Sequence, residues 1–237
     1  MQTRIYEDKI NINSNDTKEF WVNRAEQTIN LTSVLLGADK DSQAQLERNL
    51  KEKEILISLI NNKKNLRILD IGCGIGRWAE NLINNMDSYV GIDYSKGFIE
   101  YAKEKYKSND CIEFHEMSLL DITNDLLSKK FDLIICTGVL MYVNDADLLN
   151  ILANVKQMLG GYFYIQESIS IMDKRLTLDN FKSEALNANY SAIYRMSSEY
   201  EKIFNDLKFN IINTNLLLDD KIGARQETNA RYWLLKG

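Results

Sequence analysis

The stretch "LDIGCGIGRW", residues 69–78, decides the fold of this chain. Here an apolar strand pattern runs into a turn with a glycine at every second position, and a helix pattern follows at once. Glycine accepts backbone conformations that other residues avoid, and it lets the backbone approach a ligand closely. A glycine-rich turn between a strand and a helix usually holds a phosphate. The carboxylate of Asp70, two residues before the first glycine, is therefore the unexpected feature of this turn.

Strand and helix patterns alternate along the rest of the chain of 237 residues. Short apolar runs predict strands at 66–71, 88–94, 111–117, 131–137 and 161–168, and helical spacing predicts helices at about 17–36, 42–61, 77–84, 95–107 and 145–159. A further helix is predicted over 197–207, followed by two strands with a short polar connection, 209–218 and 230–237, which are expected to form an antiparallel hairpin. This alternation predicts a doubly wound, mostly parallel α/β sheet within one domain.

Composition and charge exclude several classes of protein. The formal net charge of −5 is unfavourable for general attraction to nucleic acid or to an anionic membrane surface. No apolar run approaches the roughly 20 residues that span a bilayer, and the polar start of the chain lacks the apolar centre of a signal peptide. Three widely spaced cysteines have no second cysteine or histidine at ligand spacing. These features predict a cytoplasmic protein with reduced thiols, without zinc and without a nucleic-acid or membrane partner.

The position of Asp70 conflicts with a phosphate ligand, because a carboxylate repels a pyrophosphate. A dinucleotide fingerprint also requires glycine where Arg77 stands. Both conflicts disappear if the ligand is S-adenosylmethionine, which carries a sulfonium and an ammonium and no phosphate. We expect Asp70 to attract the ammonium, while Gly72 and Gly74 let the backbone approach the methionyl and ribose portions. Asp93, at the end of the second strand, is placed to accept hydrogen bonds from the ribose hydroxyls.

Four motifs of the chain lie in order on the predicted elements: "LDIGCGIGRW" (69–78), "GIDYS" (91–95), "IEFHEMSLLDI" (112–122) and "FDLIICTGVLMYV" (131–143). Together they resemble the motifs of the class I S-adenosylmethionine-dependent methyltransferases, of the bacterial small-molecule type. The resemblance is close over about residues 65–168. It implies a Rossmann-like methyltransferase fold with a seven-stranded, mostly parallel sheet and an antiparallel C-terminal hairpin. It also implies S-adenosylmethionine as the cofactor and S-adenosylhomocysteine as the product.

The resemblance assigns further cofactor contacts. Tyr94 corresponds to the residue that covers one face of the adenine, and Leu119 to the residue whose backbone N–H contacts the ring. Ser118 stands where the family usually has an acidic residue for the adenine amino group, and Asp121 is an alternative for that contact. Arg77 follows "GIG" as in members whose arginine pairs with the cofactor carboxylate, a contact that suits the planar guanidinium.

Methyl transfer is an in-line displacement, so catalysis can come mainly from holding the acceptor in alignment with the methyl group. An alcohol acceptor gains from a general base, and the candidates are Glu167 first, then Tyr142 and Asp145, all at or after strand ends that face the site. His115, the single histidine, lies inside the third strand pattern and is expected to be structural or exposed. No acidic cluster has the spacing of a magnesium-dependent enzyme, so no metal is expected.

Two segments outside the cofactor core are expected to cover the site. The expected parts of the domain are an N-terminal helical cap, a cofactor-binding core, a substrate lid, and a C-terminal helix with the hairpin: 1–62, 65–168, 169–197 and 198–237. In the cap, Trp21 and Arg24 lie one helical turn apart, with Trp21 assigned to the acceptor and Arg24 to the cofactor. In the lid, Tyr194 and Arg195 are assigned to the acceptor.

Aromatic residues and arginines in these segments suit a small polar or anionic acceptor. The first hypothesis is O-methylation of a sugar, a nucleotide-linked sugar or a secondary metabolite. The second is N-methylation of a peptide or protein amine, because "GIGR" (74–77) also occurs in such enzymes. The third is a catalytically silent subunit that binds the cofactor. The oligomeric state stays open at this point.

Overall fold

A computed structural model describes residues 3–27, 29–35, 42–183, 186, 188–217 and 226–237 of the chain. Its strands are β1 (Thr3–Tyr6), β2 (Leu66–Ile71), β3 (Met86–Asp93), β4 (Ile112–Glu116), β5 (Phe131–Thr137), β6 (Leu159–Ser170), β7 (Leu176–Ser183), β8 (Ala188–Tyr194), β9 (Asn210–Leu216) and β10 (Thr228–Lys236). Its helices are α1 (Ser14–Ala25), α2 (Leu31–Val34), α3 (Ser42–Leu59), α4 (Arg77–Asn81), α5 (Lys96–Tyr106), α6 (Asn124–Leu127), α7 (Asp145–Met158) and α8 (Ser197–Asp206), with a short 3-10 helix at Leu140–Tyr142. None of the helices in the described ranges combines the length and apolar character that crossing a membrane requires.

Seven strands form the central sheet, in the order β4-β3-β2-β5-β6-β10-β9. The first five strands in this order are parallel, and β10 pairs antiparallel with both β6 and β9. The direction of winding reverses between β2 and β5, which is where ligands bind in doubly wound sheets. The expected fold class, a mostly parallel α/β sheet with an antiparallel C-terminal hairpin, is confirmed.

Both faces of the central sheet are buried. Successive residues of a strand point to opposite faces, so Phe163 of β6 packs in the cluster with α7 and α8, whereas its neighbour Tyr164 packs in the cluster with α3, α4 and α5. Both side chains are fully buried. Burial on two faces explains why the parallel strands are nearly continuous apolar runs in the sequence.

A second sheet of three antiparallel strands, in the order β1-β7-β8, is separate from the central one. It packs an apolar face against Phe20 of α1. The sequence analysis assigned no regular structure to residues 169–197 and no strand to the start of the chain, so it missed this sheet. The reason is that β1 has only four residues and a partner that is remote in sequence, with Thr3 opposite Asp179.

The single helix expected over about 17–36 is two helices in the structure. α1 ends at Ala25, and α2 begins after Asn30, whose side chain caps it. This second helix brings Val34 against the glycine turn. Two of the expected element ends lie outside the described residues: Leu36 and Leu218.

Gly161 of β6 tests the packing of the sheet. It lies where the register between β5 and β6 shifts, and a Cβ placed there would overlap the backbone carbonyl oxygen of Asp132. A backbone atom inside a sheet cannot move aside as a flexible side chain can. We expect Gly161→Ala to lower the free energy of unfolding, measured by urea denaturation, by about 1–3 kcal/mol, the usual cost of overpacking.

Gly237→Ala is the matched control for this substitution, because its Cβ would make only ordinary contact with Leu159. This control should change the free energy of unfolding by less than about 0.5 kcal/mol. A Gly161→Ala protein as stable as the control would contradict the close approach of β5 and β6.

Candidate active site

Two adjoining cavities lie at the carboxyl ends of the parallel strands. The first, termed the Asp93 cavity, has a volume of about 330 Å³ and lies over the glycine turn and the ends of β3 and β4. The second, termed the Glu167 cavity, has a volume of about 340 Å³ and lies between the end of β6 and the second sheet. The cavities share a boundary, because six residues line both of them: Trp21, Val34, Gly72, Thr137, Gly138 and Tyr142.

The Asp93 carboxylate fixes the geometry of the first cavity. Its Oδ2 accepts a hydrogen bond from the backbone N–H of Gly74 at 3.0 Å, and its Oδ1 accepts one from the N–H of Ser95 at 2.8 Å. The carboxylate therefore ties the glycine turn to the beginning of α5. Burial raises the pKa of Asp93 to about 6, although the two N–H groups act in the opposite direction.

The backbone of the glycine turn forms one wall of the Asp93 cavity. Gly72 and Gly74 have positive φ angles of 70° and 52°, where a side chain would be strained. A Cβ on Gly74 would also lie 2.7 Å from Val34, so α2 packs closely on the turn. Six of the expected cofactor residues line this one cavity, and so does the alternative Asp121: Gly72, Gly74, Asp93, Tyr94, Ser118 and Leu119.

Asp70 lies behind this lining and is only 1% exposed. Its Oδ2 accepts a hydrogen bond from the hydroxyl of Tyr89, whereas its Oδ1 has no partner among the described residues. Burial raises the pKa of Asp70 to about 7. A buried carboxylate oxygen without a partner is costly, and an N–H group of a ligand would satisfy it.

Arg77 lines the Glu167 cavity and belongs to a buried charge network that the sequence analysis missed. The carboxylate of Glu52, on α3, lies 2.8 Å from both Arg77 and Arg48, and it accepts a hydrogen bond from Gln166 at 2.7 Å. Burial alone would raise the pKa of Glu52, but the two guanidinium groups outweigh it and hold the pKa below its ordinary value. Arg77 and Arg48 both pair with the Glu52 carboxylate, so two guanidinium groups lie at this wall of the cavity.

Arg24 does not reach either of these cavities, so its assignment to the cofactor is wrong. Its Nε donates a hydrogen bond to the carbonyl of Ser33 at 3.1 Å, and its Nη2 donates one to the carbonyl of Thr32 at 2.8 Å. Arg24 therefore anchors α2 to α1 and lines a separate depression beside β8. Trp21, one turn earlier, lines both cavities, and its assignment to the acceptor stays a prediction.

Two of the three expected base candidates line the Glu167 cavity. Both oxygens of Glu167 accept hydrogen bonds from backbone N–H groups of residues 139–141, and burial raises the pKa of Glu167 to about 7. The hydroxyl of Tyr142 lies 2.8 Å from that of Tyr190, and burial raises the pKa of both phenols well above the ordinary value. Neither group is thus an unengaged base.

Asp145 lines neither cavity, which corrects its assignment as a candidate base. Its carboxylate lies 2.9 Å from Arg175 and 2.7 Å from Arg195. Burial would raise the pKa of Asp145, but the two guanidinium groups hold the pKa below its ordinary value. A carboxylate in two ion pairs is a structural anchor rather than a proton acceptor.

Tyr194 and Arg195, both assigned to the acceptor, face different surroundings. Tyr194 lines the Glu167 cavity together with apolar residues of β7. Arg195 is fully buried, lines neither cavity and donates hydrogen bonds to the carbonyls of Leu140 and Val143 at 2.9 and 2.6 Å. Its assignment to the acceptor is wrong, because its guanidinium faces the chain after β5. Whether the segment that holds these residues moves as a lid stays a prediction.

His115 lies on β4, outside the lining of both cavities, with its side chain 48% exposed and 3.3 Å from Glu113. It was expected to be structural or exposed, and the exposed position agrees with that expectation. Within the described ranges, no group of three or more histidine, cysteine or acidic side chains could hold a metal ion.

The central part of the chain is similar in sequence to known methyltransferases. Residues 68–160 match the family model described as "Methyltransferase domain". The ubiquinone biosynthesis O-methyltransferase of Pelagibacter ubique is 34% identical over 111 residues, which are 47% of this chain and 39% of that protein. The malonyl-[acyl-carrier protein] O-methyltransferase of Acetivibrio thermocellus is 28% identical over 107 residues, which are 44% of this chain and 36% of that protein. The chain thus spans less than half the length of these curated relatives.

A solved structure extends the likeness to nearly the whole chain. Phosphoethanolamine N-methyltransferase 1 of Haemonchus contortus, in complex with phosphoethanolamine and S-adenosylhomocysteine, superposes with a TM-score of 0.72 at 22% identity. The match covers 94% of this chain and 48% of that one. The expected fold, that of the class I S-adenosylmethionine-dependent methyltransferases, is confirmed.

The buried carboxyl of Asp70 makes stability depend on pH. An unfolded aspartic acid titrates near its ordinary pKa of about 3.9, whereas burial raises the folded pKa of Asp70 to about 7. Between these values the folded chain keeps a proton that the unfolded chain has lost, so stability falls as pH rises and levels off above about 7. The quantity to compare is the free energy of unfolding of Asp70→Asn minus that of the native protein. We expect this difference to be about 1–3 kcal/mol more positive at pH 8 than at pH 5.

Urea denaturation at the two pH values measures this difference. Buried groups that do not interact with Asp70 cancel in the comparison. Asp173→Asn, at an exposed position, is the control and should have the same relative stability at both pH values. The interpretation of Asp70 is refuted if Asp70→Asn behaves as this control does.

Proposed function

We propose that this chain, whose residues 68–160 match the model of a methyltransferase domain, transfers the methyl group of S-adenosylmethionine to a small-molecule acceptor. The observation that carries the proposal is the pair of adjoining cavities. One has the residues for an adenosyl group, and the other has room for an acceptor of modest size. Their common boundary at Gly138 and Tyr142 is where the methyl group would cross.

The residues around the Asp93 cavity fit S-adenosylmethionine. Asp93 would hold the ribose hydroxyls, Tyr94 and Leu119 would contact the adenine, and the glycine turn would admit the methionyl portion. Asp70 lines neither cavity, so its unpartnered Oδ1 would reach the ammonium group only through water. The guanidinium of Arg77, which lines the adjoining Glu167 cavity, suits the carboxylate of the same ligand where the two cavities meet.

Methyl transfer needs alignment and the exclusion of water more than it needs proton transfer. When bound, the cofactor supplies a methyl group that its sulfonium activates for displacement. The chain contributes a boundary between the two cavities that leaves a gap at Gly138, where a Cβ would meet no atom within 4 Å. Tyr142 and Tyr190 present neutral hydroxyls beside this gap, which can orient an acceptor by hydrogen bonding.

The acceptor is proposed to be small and partly polar, since the Glu167 cavity combines the apolar side of β7 and β8 with polar side chains. O-methylation of a sugar or secondary metabolite is the first candidate reaction. An alcohol acceptor needs a base, however, and the oxygens of Glu167 are engaged by backbone N–H groups. This observation favours the second candidate, N-methylation of an amine that arrives without a proton.

Cofactor binding provides the first test. Calorimetry at pH 8, above the pKa of about 7 of Asp70, should detect binding of S-adenosylhomocysteine to the purified protein and no binding of NAD, because the ionised carboxylate beside the glycine turn repels a pyrophosphate. Asp93→Ala removes two backbone anchors and the ribose acceptor, and should weaken binding by about 1–3 kcal/mol. His115→Gln is the control, because this side chain is exposed outside both cavities, and it should bind as the native protein does.

Turnover provides the second test. Pooled sugars, amines and peptides are incubated with S-adenosylmethionine labelled in its methyl group, and transfer of the label is measured for the native protein and for Asp93→Ala. Label transferred by the native protein and lost in the variant supports the proposal and excludes a silent subunit. Tight binding of NAD, or unchanged cofactor affinity in Asp93→Ala, would refute it.

A further inference from the structure

The turn that follows β5, residues 139–143, is held from two sides by charged side chains. On one side, the carboxylate of Glu167 binds three backbone N–H groups of the turn. The carboxylate accepts hydrogen bonds from the backbone of Val139, Leu140 and Met141 at 3.0, 2.9 and 3.2 Å. Glu167 is 1% exposed, so these bonds form out of contact with water. A single side chain of β6, three residues before the last residue of that strand, therefore orients three consecutive peptide groups.

On the other side, the guanidinium of Arg195 donates hydrogen bonds to two carbonyl groups of the same turn. Its Nη1 donates a hydrogen bond to the carbonyl of Leu140 at 2.9 Å, and its Nη2 donates one to the carbonyl of Val143 at 2.6 Å. Arg195 is fully buried at the end of β8. Donors of an arginine are fixed in one plane, so they constrain direction as well as distance.

Arg195 is itself held in place by a network of charges. Asp145, the first residue of α7, accepts hydrogen bonds from its Nε and Nη2 at 2.9 and 2.7 Å. Arg175 of the same network bonds to Asp145 at 2.9 Å and to Glu199 of α8 at 2.7 Å. Two arginines face two carboxylates, and removing Asp145 would leave the buried Arg195 without its carboxylate partner.

The turn carries the side chains that divide the two cavities. Val139 and Val143 line the Asp93 cavity, Met141 lines the Glu167 cavity, and Tyr142 lines both. Val139 also packs where a Cβ on Gly72 would stand. A displacement of this turn would thus change both cavities at once.

From this geometry we infer that Glu167 and Arg195 are positioning residues that act as a pair, fixing the turn 139–143 as the wall between the cofactor and acceptor cavities. The inference rests on the proposed function. It assigns Glu167 a role different from that of a general base, and it gives Arg195 a role although it touches neither ligand. The pair acts through the side chains of the turn, above all through Tyr142.

Cofactor affinity tests the inference without knowledge of the acceptor. Glu167→Gln, Arg195→Ala and Arg195→Lys are compared by calorimetry with S-adenosylhomocysteine, well below the melting temperature of each variant. We expect Glu167→Gln and Arg195→Ala to lower the affinity by about tenfold or more, the scale for misplaced binding groups. Arg195→Lys should recover part of the loss, because it keeps the charge and one donor. Lys202→Ala, exposed on α8, is the control and should leave the affinity unchanged.

The double variant separates a shared role from two independent ones. If both residues hold the same turn, Glu167→Gln combined with Arg195→Ala should lower the affinity by less than the product of the single effects. The same non-additivity is expected in kcat once an acceptor has been found. Glu167→Gln and Arg195→Lys keep the size or the charge of the native residue, and they serve if Arg195→Ala does not fold.

Two results would overturn the inference. One is native affinity in folded variants that have only lost thermal stability, which would make the two residues purely structural. The other is a double effect equal to the product of the single ones. A native protein that does not bind S-adenosylhomocysteine would instead refute the proposed function, so the two failures can be told apart.

Discussion

Two buried carboxylates are the constraint on which the site depends: Asp93, the last residue of β3, and Glu167, near the C-terminal end of β6. A carboxylate removed from water must accept hydrogen bonds, and the nearest donors at the end of a strand are the N–H groups of the following turns. Asp93 satisfies this requirement with Gly74 and Ser95, and Glu167 satisfies it with three N–H groups after β5. Each acid thereby fixes a neighbouring loop. The shapes of both cavities follow from these two anchors.

The same burial raises the pKa values of the carboxyl groups around the site. Burial raises the pKa of Asp70 and Glu167 to about 7 and that of Asp93 to about 6, because little water reaches these groups. Asp70 still has one oxygen without a partner in the described part of the chain. A cationic ligand would supply the hydrogen-bond donor that this oxygen lacks. This is a physical reason for a positively charged ligand at a glycine turn.

What could be predicted from the sequence is what is encoded locally. The glycine turn, Asp93 and the strand patterns follow from short motifs, and the structure brings them to one cavity. The errors concern side-chain partners that no periodic pattern specifies. Arg195 reaches Asp145 across the fold, and Arg24 turns to the carbonyls of α2 instead of the site. The sheet β1-β7-β8 and the burial of Glu52 beside Arg77 and Gln166 also depend on pairings that no local pattern reveals.

The path of the chain around the second sheet has a consequence for how this fold can diversify. Ser170 bonds through its N–H to the carbonyl of Arg195 at 3.0 Å and bridges to Met196, so the excursion from 171 to 195 leaves and rejoins the core at a single point. A loop with adjacent ends is exchanged in evolution or by grafting without rearranging the scaffold beneath it. Here the exchange is constrained, because Arg175 and Arg195 belong to the excursion and both bind Asp145 of the core. A graft that varies the acceptor wall has to preserve these two arginines, which belong to the inserted segment but serve the core.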